Sequence, residues 1–118
     1  MIDPVLEDLL MELGFERVRK SPLVSPRVKQ AYQAVSFLRV FGWELGSGRH
    51  TSGIYVDIWS GHVVLYWEHN LAKQQYPTYM VSIPFPEKWP DVVQKLNEYI
   101  HLAEKKVRTG RIPGQVDD

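Results

Sequence analysis

Residues 53–68, GIYVDIWSGHVVLYWE, decide the fold of this chain. Two apolar-rich runs flank Ser60-Gly61, a dipeptide typical of a tight β-hairpin turn. If these two residues form the turn, Trp59 faces His62, and the pairing continues outward to residues 53 and 68. The stretch therefore predicts an antiparallel hairpin with a defined register.

The predicted register separates the side chains of the hairpin into two faces, because successive strand residues point in opposite directions. The apolar face would hold Ile54, Val56, Ile58, Val63, Leu65 and Trp67. The other face would hold Tyr55, Asp57, Trp59, His62, Val64, Tyr66 and Glu68. This separation is typical of a sheet that is covered by helices on one face and open to water on the other. A slip of one residue would bury Asp57 and Glu68, so the register is well specified.

Helices are predicted at both ends of the chain. Asp3-Pro4 is a good helix start, leucines recur at helical spacing up to Leu13, and Gly14-Phe15 fits a Schellman ending, which predicts a helix over 4–13. Trp89-Pro90-Asp91 opens a longer helix that continues to about residue 108. The apolar positions of this second helix step by three and four residues: Val93, Leu96, Ile100, Ala103 and Val107.

The segments between these elements are less regular. Residues 16–29 contain two prolines and a majority of basic charges, which indicates a connecting arm. A short helix over 26–33 followed by a strand over 35–45 is the favoured interpretation, and one long helix ending at Gly42 is the alternative. A further strand is predicted over 78–85, with Pro84 suited to a sheet edge.

The pattern predicts one α+β domain over residues 1–108, with a disordered tail at 109–118. Its sheet would have three or four antiparallel strands. An N-terminal helix and a long C-terminal helix would flank this sheet, mainly on one face.

Composition excludes several classes of protein. The 118 residues include 14 basic and 14 acidic side chains and no cysteine, which excludes a disulfide framework and a thiol nucleophile. Balanced charge gives no global indication of a nucleic-acid or membrane partner. Residues 1–13 carry four acids and no base, unlike a signal peptide, and no apolar run approaches the ~18 residues of a membrane span. We expect a cytoplasmic protein.

Catalytic motifs are incomplete. The glycine-rich segment 46–53 lacks the lysine and the following helix of a phosphate-binding loop, and predicts a flexible connection between strands. Asp57 and His62 would be diagonal neighbours, which is the carboxylate–imidazole arrangement of general-base catalysis, but the sequence supplies no nucleophile motif beside them. The four histidines show no metal-ligand spacing. We therefore predict no catalytic residues, no cofactor and no metal, with a hydrolase that uses Asp57 and His62 as a third hypothesis.

The spacing of Asp57 and Glu68-His69-Asn70 resembles the metal-binding Asp…Glu-x-Lys core of the restriction-endonuclease-like nucleases. This resemblance covers a small part of the chain. Asn70 stands where that family has lysine, and the predicted register places about 13 Å of strand between the two carboxylates.

The rings Tyr55, Trp59 and Tyr66 on the predicted open face allow two interpretations. Either the N-terminal helix or the arm packs over them as a second core layer, or they remain exposed as anchors of a binding site. The second interpretation favours a non-enzymatic protein-binding module of a regulatory, inhibitor or immunity type. Its partner would be another protein or a second copy of the chain. The expected partner-binding residues are Tyr55, Asp57, Trp59, His62, Tyr66 and Arg49. The alternative is nucleic-acid binding, in which the same rings stack on bases and the arm contacts phosphates. Those phosphate contacts would be Arg17, Arg19, Lys20, Arg27 and Lys29, and a late basic cluster of Lys105, Lys106, Arg108 and Arg111 is expected to be solvated.

Overall fold

The computed structural model describes residues 4–19, 21–22, 27, 30, 33–45, 48–59, 61–68 and 79–109; for residues 43–45, 48–50, 79 and 109 it describes the backbone alone. Helix α1 spans Pro4–Glu12 and helix α2 spans Trp89–Thr109. The strands are β1 (Glu16–Val18), β2 (Val35–Leu45), β3 (Gly48–Trp59), β4 (His62–Glu68) and β5 (Tyr79–Pro84).

The strands form one antiparallel sheet in the order β1-β2-β3-β4-β5. The predicted hairpin register is confirmed, since Trp59 pairs with His62 and Gly53 pairs with Glu68. Gly61 has a φ of 73°, a left-handed conformation that glycine adopts without strain in a tight turn. The strand with Pro84 lies at a sheet edge as predicted.

The α+β class is confirmed, but the number of described strands is five rather than three or four. The additional strand is β1, which lies in the segment predicted to be a connecting arm. It is only three residues long and pairs with β2 from Glu16↔Leu38 to Val18↔Ser36. A strand this short carries no readable alternation, so its position depends on the neighbouring strand rather than on its own sequence.

Strand β2 has the bounds that the favoured interpretation predicted, and the alternative of one long helix through Phe41 is wrong. Of the predicted helix 26–33, the structure describes Arg27 and Gln30 as helical and Gln33 as a turn residue with a φ of 53°. The flexible connection predicted at 46–53 is also wrong from Gly48 onward. There β3 pairs with β2 as far as Leu45↔Gly48, so the β2–β3 ribbon extends beyond the last β3–β4 pair.

Helix α1 ends in the predicted Schellman motif. Gly14 has a φ of 86°, its N–H donates to the Met11 carbonyl at 3.1 Å, and the Phe15 N–H donates to the Leu10 carbonyl at 2.9 Å. Leu10 and Phe15 are both buried in the core. The motif therefore directs the chain from α1 into β1 while it satisfies the last carbonyls of the helix.

Replacing Gly14 with alanine should lower the free energy of unfolding by about 1–2 kcal/mol, because a Cβ atom disfavours the left-handed conformation. The nearest atom to that Cβ would be Nε of Arg39 at 3.5 Å, an ordinary contact, so the cost is conformational rather than steric. Gly14→Asn should recover part of the loss, because asparagine tolerates this region better. Equal urea midpoints for Gly14→Ala and the parent would contradict this account.

The core lies between one face of the sheet, here called the core face, and the two helices. Its members are Leu6, Leu10, Phe15, Phe37, Phe41, Ile54, Val56, Val63, Leu65, Trp67, Ile83, Val92, Leu96, Tyr99, Ile100 and Ala103. Both helices contribute to this one cluster, so the helices cover one face of the sheet as predicted. The opposite face, here called the second face, is where the sequence places its candidate functional residues.

Within the part of the chain that the structure describes, neither helix has the length and apolarity to cross a membrane. Residues 110–118, which make up nearly all of the predicted tail, lie outside the described residues. Thr109 belongs to the end of α2.

Candidate functional site on the second face

Cross-strand pairing aligns the second face in rows. One row runs from β2 to β5 through Leu38, Tyr55, Tyr66 and Met80. The next row runs through Ser36, Asp57, Val64 and Ser82. Residues directly opposite on neighbouring antiparallel strands lie on the same face at about 4.5–5.5 Å between their Cβ atoms. Diagonal neighbours in adjacent rows are about 7–8 Å apart, within reach of long side chains. The hydrogen bond from Tyr66 to Asp57 joins the apolar row to the polar row in the middle of the sheet.

Asp57 is the centre of a buried hydroxyl cluster. Its side chain has no exposed surface. The carboxylate accepts hydrogen bonds from Ser21 Oγ at 3.0 Å, from Tyr66 Oη at 2.5 Å and from Ser36 Oγ. Hydrogen bonds to an ionised acceptor are stronger than those between neutral groups, so this cluster holds the segment at Ser21 onto the sheet.

At Asp57 the second face is therefore not open to water. Of the two interpretations of this face, the one in which the arm packs on it agrees with the structure at this position. The register was predicted correctly, but Ser21 approaches from the segment after β1 and the hydroxyl groups replace water at the carboxylate. Tyr66 is also fully buried, and Glu68 is 2% exposed. The centre of the second face is thus a small second layer, and only its surroundings reach solvent.

Tyr66 connects the hydroxyl cluster to the more accessible ring of Tyr55. Its ring is stacked on Tyr55, with 5.1 Å between the ring centroids and 11° between the planes. Burial, and then the negative charge of Asp57, raise the pKa of the Tyr66 phenol, so it remains a hydrogen-bond donor. Burial, Glu68 and Asp57 raise the pKa of Tyr55. Tyr55 is half-buried and packs against its cross-strand neighbour Tyr66, which is itself hydrogen-bonded to Asp57.

Glu68 lies at the other side of the tyrosine pair, at the end of β4. Neither carboxyl oxygen has a hydrogen-bond partner among the described residues, and burial raises the pKa of this carboxyl. Because the folded-state pKa lies above the ordinary value of 4.5, ionisation of Glu68 opposes folding. Stability from this group is complete below pH 4.5 and is lost as the pH rises through the folded-state pKa.

Replacing Glu68 with methionine should raise the free energy of unfolding at pH 7 by about 1 kcal/mol, because it removes a buried carboxylate. The advantage should shrink as the pH is lowered toward 4.5, where Glu68 becomes protonated in the folded and unfolded states alike. Urea denaturation at several pH values measures this difference. Glu87→Met, at an exposed position, is the control, and a pH-independent difference for Glu68→Met would contradict the assignment.

The margin of the second face is apolar and reaches solvent. Val40 is 53% exposed and Met80 is 61% exposed. Leu38, Tyr55 and Trp59 are half-buried, as is Val64, and His62 is exposed. Of the predicted partner-binding residues, Tyr55, Trp59 and His62 are therefore accessible, whereas Asp57 and Tyr66 are buried. The side chain of Arg49 lies outside the described part of the structure.

Sequence reasoning did not select Ser21, Ser36, Leu38, Val40 or Met80 as part of this face. Ser36 and Leu38 could have been found from the pairing of β2 with β3. That pairing reaches Leu45↔Gly48, so only two residues connect the strands, and their sequence, Gly-Ser, is typical of a hairpin turn. The signal was missed because the whole segment 46–53 was interpreted as a flexible connection. Val40 lies on the same face of β2 by alternation. Ser21 reaches Asp57 across 36 residues of sequence, and no local pattern reports such a contact.

Few basic side chains can be placed on either face of the sheet from the described residues. At the strand positions of the second face whose side chains are described, the charged groups are Glu16, Asp57 and Glu68, and none is Lys or Arg. Arg17 pairs with Phe37, which places it on the core face. Arg19 and Arg27 are exposed, and Lys20 and Lys29 lie outside the described residues. The solvation expected for the late basic cluster is wrong for one member, because α2 turns Lys106 inward and leaves it 4% exposed.

The hydrolase hypothesis depends on a carboxylate that is available to orient His62. The hydroxyl groups of Ser21, Ser36 and Tyr66 already surround the Asp57 carboxylate. Among the residues that the structure describes, no group of three or more His, Asp or Glu side chains could hold a metal ion.

Comparisons of the chain with protein-family models, with curated proteins and with solved structures give no match. A function can therefore be inferred only from the residues and geometry of the chain itself. On the second face, a buried polar cluster lies next to partly exposed apolar side chains.

Proposed function

We propose that the chain is a non-enzymatic protein-binding module whose partner, another protein or a second copy, docks on the second face. The observation that carries this proposal is the apolar row of the second face. The row ends in the exposed Met80 on β5, and the exposed Val40 lies next to its other end on β2. Large exposed apolar side chains that adjoin partly exposed aromatic rings are typical of interaction surfaces. A cytoplasmic location, expected from the cysteine-free composition, is part of the same proposal.

The fixed position of Tyr55 supports this proposal. Asp57 holds Tyr66 by a hydrogen bond, and Tyr66 holds Tyr55 by stacking. A partner that packs against Tyr55 therefore has less side-chain entropy to remove on binding, which is the general advantage of a preorganised anchor. Tyrosine is also among the residue types that dominate binding energy at protein interfaces. The buried cluster is thus assigned a supporting role, and the exposed margin makes the contact.

Charge supports a protein partner over a nucleic acid. A base-stacking surface needs basic side chains beside its rings to neutralise phosphate charge. The charged groups described at strand positions of the second face are acidic. A partner suited to this face is apolar at its centre and neutral or basic at its rim, since like charges across an interface oppose association.

The test is to recover the tagged chain from its native cell, or the nearest available host, with nuclease treatment and 0.5 M salt (roughly three times physiological ionic strength). We expect a co-purifying protein, or a self-associated species in sedimentation velocity. Double replacement of Tyr55 by alanine and Met80 by serine should weaken this association at least tenfold, which corresponds to about 1.4 kcal/mol.

Met11→Ser is the matched control, because Met11 is 56% exposed but lies on α1, on the other side of the sheet. The control variant should bind as the parent does. The proposal fails if the association survives in the Tyr55→Ala/Met80→Ser variant while that variant remains folded. Recovery of nucleic acid that is lost at 0.5 M salt would instead support the nucleic-acid alternative.

A further inference from the structure

A groove of about 530 Å³ lies on the core-face side of the sheet, between β2 and the C-terminal half of α2. Arg39 and Phe41 line it from β2, and His101, Glu104, Val107 and Arg108 line it from α2. Its volume is within the range of small-molecule sites in proteins, about 300–1,000 Å³. Val40 and Gly42 also line the groove from β2, so it reaches the β2 edge of the second face. Arg39, Phe41 and Val107 lie outside the second face, so binding to them does not depend on the function proposed there.

The groove is accessible because β1 is short. The pairing of β1 with β2 ends at Glu16↔Leu38, so β2 continues past its described neighbour from Arg39 onward. Phe41 belongs to the core cluster and Val107 packs against that cluster. These two side chains give the groove an apolar floor that is continuous with the core.

The rim of the groove is mainly basic. Arg39 and Arg108 carry positive charge, against the single carboxylate of Glu104. The Arg39 guanidinium lies over the Phe41 ring, with Cζ 4.6 Å from the ring centroid. This cation–π contact holds the guanidinium at the boundary between the apolar floor and solvent.

Glu104 pairs only weakly with Arg39, so the Arg39 guanidinium can bind a second carboxylate. The distance from Arg39 Nη2 to Glu104 Oε1 is 3.9 Å, which is longer than a hydrogen bond. The side chains of the two residues are 29% and 54% exposed, and ion pairs at such positions contribute at most about 1 kcal/mol. An arginine presents five N–H donors in a geometry that matches a carboxylate. A second carboxylate can therefore compete with Glu104 for this guanidinium.

We infer that the β2–α2 groove is a binding site for a small organic carboxylate with an apolar body. The carboxylate binds the Arg39 guanidinium near Arg108, and the apolar body lies on Phe41 and Val107. Both the carboxylate and the apolar body of the ligand are needed. A partly exposed arginine alone attracts any anion weakly, and a shallow apolar floor alone binds an apolar molecule weakly.

Phenylacetate is a suitable probe, with phenylacetamide as the uncharged equivalent and inorganic phosphate as the anion without an apolar body. Two-dimensional NMR of the full chain should show saturable shifts at the Arg39 side-chain N–H and the Val107 methyl groups, with a Kd on the order of 1 mM. Phenylacetamide and phosphate should each bind at least fivefold more weakly.

Three variants separate this site from general ionic attraction. Arg39→Met should weaken phenylacetate at least fivefold, and Glu104→Gln should tighten it about threefold because the competing carboxylate is gone. Lys95→Met should have no effect, because Lys95 pairs with Glu98 in the first half of α2. If Arg39→Met fails to fold, the tighter binding expected of Glu104→Gln still tests the inference. Equal binding of phosphate or phenylacetamide, an unchanged Kd in Glu104→Gln, or no saturable shift up to about 20 mM (some twenty times the expected Kd) would overturn the inference.

Discussion

Replacing Asp57 with alanine should lower the free energy of unfolding by about 2–4 kcal/mol. The carboxylate accepts hydrogen bonds from Tyr66, Ser36 and Ser21, and a hydrogen bond to a charged group makes a net contribution of about 1.5–3 kcal/mol. The cost of burying the carboxylate offsets part of their sum. Removing the acceptor leaves the hydroxyl groups of Ser36 and Tyr66 buried without it, which costs more than the loss of an exposed contact. Urea denaturation monitored by circular dichroism measures the change.

Two further variants make this result specific. Asp57→Asn keeps one carbonyl acceptor, so it should lie between the parent and Asp57→Ala. Asp8→Ala removes an exposed carboxylate from α1 and should stay within about 0.5 kcal/mol of the parent. If Asp57→Ala is as stable as Asp8→Ala, the hydroxyl cluster does not hold the segment at Ser21 on the sheet.

Replacing Lys106 with methionine should raise the free energy of unfolding at pH 7 by about 1–3 kcal/mol. Burial on α2 lowers the pKa of this lysine from 10.5 to about 8. A change of one in pKa corresponds to about 1.4 kcal/mol, which sets an upper bound of about 3 kcal/mol on the cost of keeping the ammonium ion folded. Methionine keeps the length of the aliphatic chain and has no charge to desolvate.

The pH dependence of this gain has a definite sign. Between pH 8 and 10.5 the unfolded chain holds a proton on Lys106 that the folded chain has released, so the stability of the parent rises with pH across this window. The advantage of Lys106→Met should therefore be complete below pH 8 and should disappear toward pH 10.5. Lys105→Met, at the exposed neighbouring position, should show no such window, and a parallel pH profile for the two variants would refute the burial of Lys106.

The elements that local signals determine were predictable from the sequence. The Ser60-Gly61 turn defined the register of β3 and β4, and Gly14-Phe15 marked the end of α1, because each of these signals acts within a few residues. The bounds of β2 followed from its β-branched and aromatic composition. These features require no knowledge of the rest of the chain.

The remaining features depend on long-range packing. Strand β1 forms because an existing edge of β2 is available to it, and Asp57 is buried because Ser21 arrives from 36 residues away. Lys106 had a weak signal in the sequence, since it lies seven residues after Tyr99 and fourteen after Val92, both of which are buried on α2. The predicted apolar stripe includes Val93 and Val107, each of which lies one residue after a member of the buried series. Because position 106 carries a charged side chain, the sequence pattern predicted that it faces solvent.

The most direct measurement of the central claim is site-specific photo-crosslinking in the native cell or its nearest host. A benzophenone amino acid at position 80 should crosslink the chain to one protein partner, or to a second copy, because Met80 lies at the exposed end of the apolar row on the second face. The same amino acid at position 11 places an equally exposed probe on α1 and should give no such product. A partner crosslinked equally from both positions, or from position 11 alone, would contradict the claim that the second face is the binding surface.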